Sequence, residues 1–201
     1  MNNVDNVALF DMDGTLCNYH GKMIDDLRSI SSPEDPPIEG DWFDEDKIPD
    51  YIRNRIKMIR NQPNWWFNLS LLSSGYSVYN IAREIGFRIH ILTKGPYNTI
   101  SAWSQKVQWV RENLASDTQI TITEDKGLVY GKVLVDDYPP YIERWLEHRP
   151  RGLVIMPEYS YNRNFKHKNV IAYDYISIES FYKVKNALIK VYNRKSKEPL
   201  N

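Results

Sequence analysis

Two aspartates one residue apart, Asp11 and Asp13, follow the apolar run Val7-Ala8-Leu9-Phe10 and precede Gly14-Thr15. A second acidic pair, Asp136-Asp137, follows the run Val133-Leu134-Val135. Carboxylates at the end of a buried strand can hold a divalent cation through oxygen ligands, and one of them can serve as a nucleophile. That combination suits phosphoryl transfer, in which an anion must approach an anion under the screen of a cation. Between the pairs, Thr93 closes a second apolar run, and Lys126 sits on the turn Glu124-Asp125-Lys126-Gly127 after a third. A hydroxyl and an ammonium are groups that hold the equatorial oxygens of a phosphate. Each element alone has a plainer explanation: Asp and Gly make turns, Thr ends many strands, and most lysines are solvated. Their shared position after successive apolar runs separates them from that background.

The elements that must position them follow from periodicity. Six short Val- and Ile-rich runs, 6–10, 88–92, 119–123, 132–135, 152–156 and 169–172, read as buried strands. Amphipathic helices lie between many of them. One, capped by Ser74, places Val78, Ile81, Ala82 and Ile85 on one face. A second carries Ile100, Trp103, Val107, Val110 and Leu114. A third, from about Pro139, carries Ile142, Trp145 and Leu146; the last, after Ser177, carries Phe181, Val184, Leu188 and Val191. This alternation predicts an α/β fold, a Rossmann-like open parallel sheet with helices on both faces. Ligands bind outside the carboxyl ends of such strands, where the acids, Thr93 and Lys126 fall.

About seventy residues separate the first two strands, far more than a crossover needs. Within them Pro49 begins a helix bearing Ile48, Tyr51, Ile52, Ile56 and Ile59, and 31–46, rich in Pro and acids, reads as a loop. The expected organisation is a core made of residues 1–16 and 73–192, a small helical cap at 17–72 inserted after the first strand, and a polar tail at 193–201.

Lys+Arg and Asp+Glu both number 26, a balance that argues against a protein built mainly to grip a nucleic-acid backbone. The single cysteine, Cys17, excludes an internal disulfide and a cysteine-rich zinc site. Two nearby carboxylates oppose its thiolate, so it reads as packing. His20, His90, His148 and His167 lack metal-ligand spacing and read as surface or packing residues. No apolar run reaches the roughly 18 residues of a membrane span, and the N-terminus lacks a signal-peptide pattern. A cytoplasmic protein acting on a small molecule is the expectation, with no membrane partner. The basic cluster Lys183, Lys185, Lys190, Arg194, Lys195 and Lys197 reads as the polar face and end of the last helix.

The order of these motifs resembles that of the haloacid dehalogenase (HAD) superfamily of phosphotransferases. Three further segments are similar to the 5'(3')-deoxyribonucleotidase family: Pro63-Asn64-Trp65-Trp66-Phe67-Asn68-Leu69, the run from Lys106 to Leu114, and the run from Thr121 to Lys126. The pattern continues into Tyr161-Asn162-Arg163, and the likeness covers most of the chain from Asn6 to about Asp174. The resemblance implies Mg²⁺-dependent hydrolysis of nucleoside monophosphates, pyrimidine deoxynucleotides favoured. In that scheme Asp11 carries an aspartyl-phosphate, and Asp13 acts as acid and then base. Mg²⁺ is held by Asp11, the Asp13 carbonyl and one acid of the later pair, with Asp137 favoured as direct ligand and Asp136 behind it. Thr93, Lys94 and Lys126 cradle the phosphate, helped by the Met12 and Asp13 N–H groups. Trp65, Trp66 and Phe67 are the candidates for a base pocket, with Trp42 and Phe43 also weighed; for each, a place in the cap's own core competes.

Departures from the family pattern are Lys94 where Ser is common, Tyr138 where a basic residue is common, and Gly127 where Thr is common. Lys94 is positioned to replace the missing positive charge. Two other readings stand beside this one: a HAD phosphatase for another small phosphate ester such as a sugar phosphate, and a catalytically silent nucleotide-binding module. A homodimer is compatible with either.

Overall fold

The computed structural model describes residues 6–36, 48–174 and 176–194. In chain order the elements are β1 (Val7–Phe10), α1 (Tyr19–Ser29), α2 (Asp50–Arg60), α3 (Ser73–Ile85), β2 (Arg88–Lys94), α4 (Ile100–Asn113), β3 (Gln119–Thr123), β4 (Val133–Val135), α5 (Pro139–His148), β5 (Leu153–Pro157), β6 (Val170–Tyr173) and α6 (Ile178–Tyr192). A short 3-10 turn, Lys126–Leu128, precedes β4.

The strands form one parallel sheet in the order β3-β2-β1-β4-β5-β6. Strand residues alternate between its faces, as a pleated strand requires. Ala8 and Phe10 pack with Val78 and Ala82 of α3 and Val184 and Leu188 of α6. Val7 and Leu9 pack with Ile142, Trp145 and Leu146 of α5 on the other side. The chain leaves β1 toward β2 and β3, then returns to β4 on the opposite flank. Strand order therefore reverses between β1 and β4, the position at which open α/β sheets form a ligand crevice. Phe10 lies level with Ile91 of β2 and Val135 of β4, so the residues that follow emerge side by side.

β3 falls where the sequence places it; β4, β5 and β6 start one residue later. β2 runs on to Lys94 because its pairing with β3 continues to Thr123, which puts Thr93 and Lys94 in the strand rather than after it. Ser74 does not cap α3. The helix begins at Ser73, Leu72 is the cap residue without a side-chain bond, and the Leu72 N–H donates to the Leu16 carbonyl at 2.8 Å. Gly75 of this first turn lies so near the β1 loop that a Cβ would stand 1.8 Å from the Thr15 carbonyl oxygen. α5 starts with Pro139, and Ser177 caps α6 by accepting from the Ser180 N–H, both as expected.

α4 departs most. Its buried face is Ala102, Gln105, Lys106, Trp109 and Val110, while Ile100 is 85% exposed and Trp103 also reaches solvent. Val110 and Leu114 are buried as the apolar pattern has them, but the face as a whole is rotated from the expected one, because two of the inward positions are polar and serve the site described below.

Between β1 and α3, α1 is an element the periodicity did not separate. Asn18 caps it by accepting from the Gly21 N–H at 3.1 Å. Tyr19, Met23 and Leu27 of α1 share one core with Ile52, Ile56 and Ile59 of α2. Pro49 is the cap residue of α2 rather than its first residue, and Tyr51 is exposed. The two connections of this insert meet at one place: Cys17 pairs with Leu71, and Asn18 N–H donates to the Ser70 carbonyl at 2.8 Å. Trp42, Phe43, Lys195, Lys197, residues 37–46 of the acidic loop and the tail beyond 194 lie outside the described residues.

Candidate active site

Asp11 extends β1 by one residue, its N–H donating to the Val135 carbonyl at 2.9 Å. The chain then turns around the Met12 carbonyl, which accepts from the N–H groups of Thr15, Leu16 and Cys17. Gly14 sits at φ 76°, and a Cβ there would lie 2.5 Å from Asp137 Oδ2. Both the left-handed backbone and the close approach call for glycine. The turn brings Thr15 Oγ1 within 2.9 Å of Asp137 Oδ1, to which it donates.

From the other side of the switch point, Asp136 and Asp137 leave β4. Asp136 accepts from the Tyr138 N–H at 3.0 Å and from Lys126 Nζ at 2.7 Å. Lys126 also lies 2.8 Å from Asp11 Oδ1 and is 2% exposed. Its turn is capped by Asp125, which accepts from the Gly127 N–H and pairs with Arg144 of α5. Lys126 thus bridges two acids and does not line the cavity above them.

Carboxylate oxygens of Asp11, Asp136 and Asp137 lie within 4.8 Å of one another, all three residues buried. Burial pushes the Asp11 carboxyl up from its ordinary range although Lys126 pulls the other way. Burial likewise raises Asp136, to about 8. Burial acts on Asp137 too, yet the His20 imidazole and the Tyr161 hydroxyl beside it outweigh burial and hold it below the ordinary value. Three crowded, desolvated carboxylates answered by one lysine form a set short of positive charge. Its all-oxygen donors fit a hard divalent cation such as Mg²⁺.

Asp13 faces a different lysine. Lys106 Nζ, fully buried, lies 2.5 Å from Asp13 Oδ2, donates to Thr93 Oγ1 at 2.8 Å, and stands 4.9 Å over the Trp66 ring. Sequence reasoning missed Lys106 as a site residue, because its helix was phased on Ile100 and Trp103. The signal present was Trp109 three residues on, a bulky core residue on the same helical face.

A cavity of about 420 Å³ opens over these groups. Asp11, Asp13 and Asp137 line it from the sheet; Tyr19, His20, Arg60 and Trp66 line it from the insert. Lys94, Pro96 and Tyr97 at the end of β2, and Tyr138 and Tyr141 at the start of α5, complete it. Lys94 is exposed, with Nζ 5.5 Å over the Tyr141 ring.

The structure therefore gathers Asp11, Asp13, Thr93, Lys94, Lys126, Asp136 and Asp137 at one sheet edge. Met12, expected to act through its N–H, has a buried side chain, and its carbonyl closes the turn. Trp65 and Phe67 are corrections. The Trp65 indole N–H donates to Asp26 of α1, and Phe67 packs against the core, so of the three only Trp66 meets the cavity. Consecutive residues of a tight turn cannot all face one way. Trp66 stacks on Tyr19 at 5.4 Å, and its backbone N–H donates to Gln105. His20 is a further correction: its Nε2 stands 3.7 Å from Asp137 Oδ2, at the site rather than in plain packing or on open surface. Cys17 is buried beside Asp13, and burial pushes its thiol well up.

Residues 5–182 match the family described as "5' nucleotidase, deoxy (Pyrimidine), cytosolic type C protein". A Bordetella pertussis protein named "Putative 5'(3')-deoxyribonucleotidase" is 27% identical over 167 residues, covering 79% of this chain and 86% of that one. A Bordetella bronchiseptica protein of the same name is 25% identical over 164 residues, with 79% and 86% covered. Among solved structures, "Putative beta-phosphoglucomutase from Bacteroides vulgatus" superposes with a TM-score of 0.53 at 13% identity, covering 94% of this chain and 91% of that one, a likeness of fold.

Proposed function

This chain belongs to the 5' nucleotidase, deoxy (pyrimidine), cytosolic type C family, and from that premise we propose that it is a Mg²⁺-dependent phosphomonoesterase of nucleoside monophosphates, pyrimidine deoxynucleotides foremost. One observation carries the reading. Two acids of separate duty, Asp11 with Lys126 and Asp13 with Lys106, share the floor of a cavity whose roof is aromatic.

Asp11 attacks phosphorus and forms the aspartyl-phosphate as the ester bond breaks. Asp13 gives a proton to the departing alkoxide. It then takes one from the water that cleaves the aspartyl-phosphate, which frees phosphate and restores Asp11. Lys106, fully buried, bridges Asp13 and Thr93 at 2.5 and 2.8 Å and holds the acid and the hydroxyl in place behind the phosphate. Lys126 keeps Asp11 and Asp136 together without neutralising both. Asp11 and Asp137, with Asp136 behind, would hold a Mg²⁺, which when bound would supply the positive charge that lets a carboxylate meet a phosphate. Trp66 and Tyr19, stacked on each other, form an aromatic wall of the cavity against which a nucleobase packs, and residues 17–72 act as a cap that excludes water. A cytoplasmic location and a free small-molecule substrate belong to the same reading.

Phosphate release from nucleoside monophosphates, sugar phosphates and 3'-phosphorylated oligonucleotides, with Mg²⁺ or EDTA, tests it. Turnover of nucleotides in Mg²⁺, lost in EDTA and in Asp11→Asn, is the expected result. A preference for sugar phosphates, or activity that survives Asp11→Asn, overturns it.

A further inference from the structure

We propose that Tyr161 is a positioning residue that aims the Asp137 carboxylate at a divalent cation, an inference resting on the reading of Asp137 as a cation ligand. The segment between β5 and β6 forms a fork. The rings of Tyr159 and Tyr161 stack at 5.5 Å with 9° between their planes. One hydroxyl, Tyr159, donates to the Gly14 carbonyl at 2.7 Å; the other, Tyr161, donates to Asp137 Oδ2. Asn162, 1% exposed, fixes the fork at its root. Its Nδ2 donates to the Asp137 carbonyl at 2.8 Å and the Pro157 carbonyl at 2.9 Å, while its Oδ1 accepts from the Tyr159 N–H at 2.8 Å.

Asp137 is thereby held at three points: backbone by Asn162, Oδ2 by Tyr161, and Oδ1 by Thr15 from the β1 loop at 2.9 Å. The carboxylate plane cannot turn without breaking a bond at one oxygen. Each oxygen has two acceptor sites; Oδ2 faces His20 Nε2 at 3.7 Å as well as Tyr161, so Oδ1, engaged by Thr15, is the oxygen with room for a cation. Hydrogen bonds behind a ligating carboxylate fix its direction, and their loss typically weakens metal binding about 10–100-fold. Tyr159 supplies the contrast: its hydroxyl grips a backbone carbonyl of the β1 loop in the same fork.

Calorimetric titration of Mg²⁺ into wild type, Tyr161→Phe and Tyr159→Phe, without substrate, separates positioning from mere support. Tyr161→Phe is expected to bind about tenfold more weakly, and Tyr159→Phe within about twofold of wild type. Both should melt cooperatively in EDTA with similar losses of Tm. Raising Mg²⁺ should restore kcat of Tyr161→Phe, a rescue that a purely structural defect would not show. A wild-type Kd in Tyr161→Phe, or equal weakening in Tyr159→Phe, overturns the proposal and leaves the function above standing. Absence of Mg²⁺ binding by the wild type overturns both.

Discussion

Lys106 is fully buried, and its charge is answered by Asp13 and the Thr93 hydroxyl. A lysine in that position is costly to desolvate unless it is paired, which ties its presence to those partners. Lys106→Met keeps the length of the side chain and its place over Trp66 but removes the ammonium. It should lower kcat by about 10²–10³, the usual cost of one preorganised electrostatic donor, as steady-state kinetics would show. Lys94 predicts a different pattern. It is exposed at the cavity mouth, so its attraction for a phosphate is screened by salt. Lys94→Ala should raise KM several-fold with kcat nearly unchanged, and the wild-type KM should climb toward that of the variant as ionic strength increases. An unchanged KM would remove Lys94 from the phosphate rim. Cys17 is held protonated by burial and by Asp13. The native thiol should therefore resist a disulfide reagent at pH 8 and react fully once the chain is unfolded.

Helix α4 carries the same lesson at the scale of an element. Its true face buries Trp109, whose indole N–H donates to the Leu69 carbonyl at 2.6 Å, while Ile100 points to solvent. Trp109→Ala should cost about 3–5 kcal/mol in urea denaturation, the range for a large buried aromatic. Ile100→Ser should stay within about 0.5 kcal/mol. Reversal of that order would restore the phase that hydrophobicity suggested. The strands were legible because a parallel sheet covered on both faces is written in unbroken Val and Ile. Asp11, Asp13, Asp136 and Asp137 were legible because they interrupt such runs at strand ends. Lys106 and Tyr161 stood out only as members of family-like segments and His20 not at all, and none of the three was legible as a site residue. Each sits on a helix or loop whose local pattern says nothing of what lies across the switch point. Trp65 and Phe67 were misread for a related reason: composition marks an aromatic cluster but not which ring turns outward. α1 was written at helical spacing in Tyr19, Met23, Ile24 and Leu27, a stripe short enough to be lost in the long insert.

Across the whole molecule, the site works against the stability of the fold that holds it. Asp11 and Asp136 both have carboxyls raised by burial, so the folded state holds protons that the unfolded chain would release. For an acid whose folded pKa is raised, stability is greatest below the ordinary carboxylate range and declines as pH climbs toward the folded value. In EDTA, stability should therefore fall between about pH 4 and pH 8, the window set by the ordinary carboxylate value and by Asp136. Saturating Mg²⁺ should flatten that decline, since a cation favours the charged carboxylates. At 100 times its Kd a ligand adds about 2.7 kcal/mol. A chain of this size gains roughly 2–4 °C in Tm per kcal/mol, so the shift should be about 5–10 °C. Asp11→Asn separates the two effects. It removes one crowded charge while Lys126 keeps its bond to Asp136 at 2.7 Å. The variant should melt above wild type in EDTA at pH 7 and lose most of the Mg²⁺-induced shift. If it melts below wild type instead, the 2.8 Å pair between Asp11 and Lys126 outweighs the crowding, and the acids do not oppose the fold.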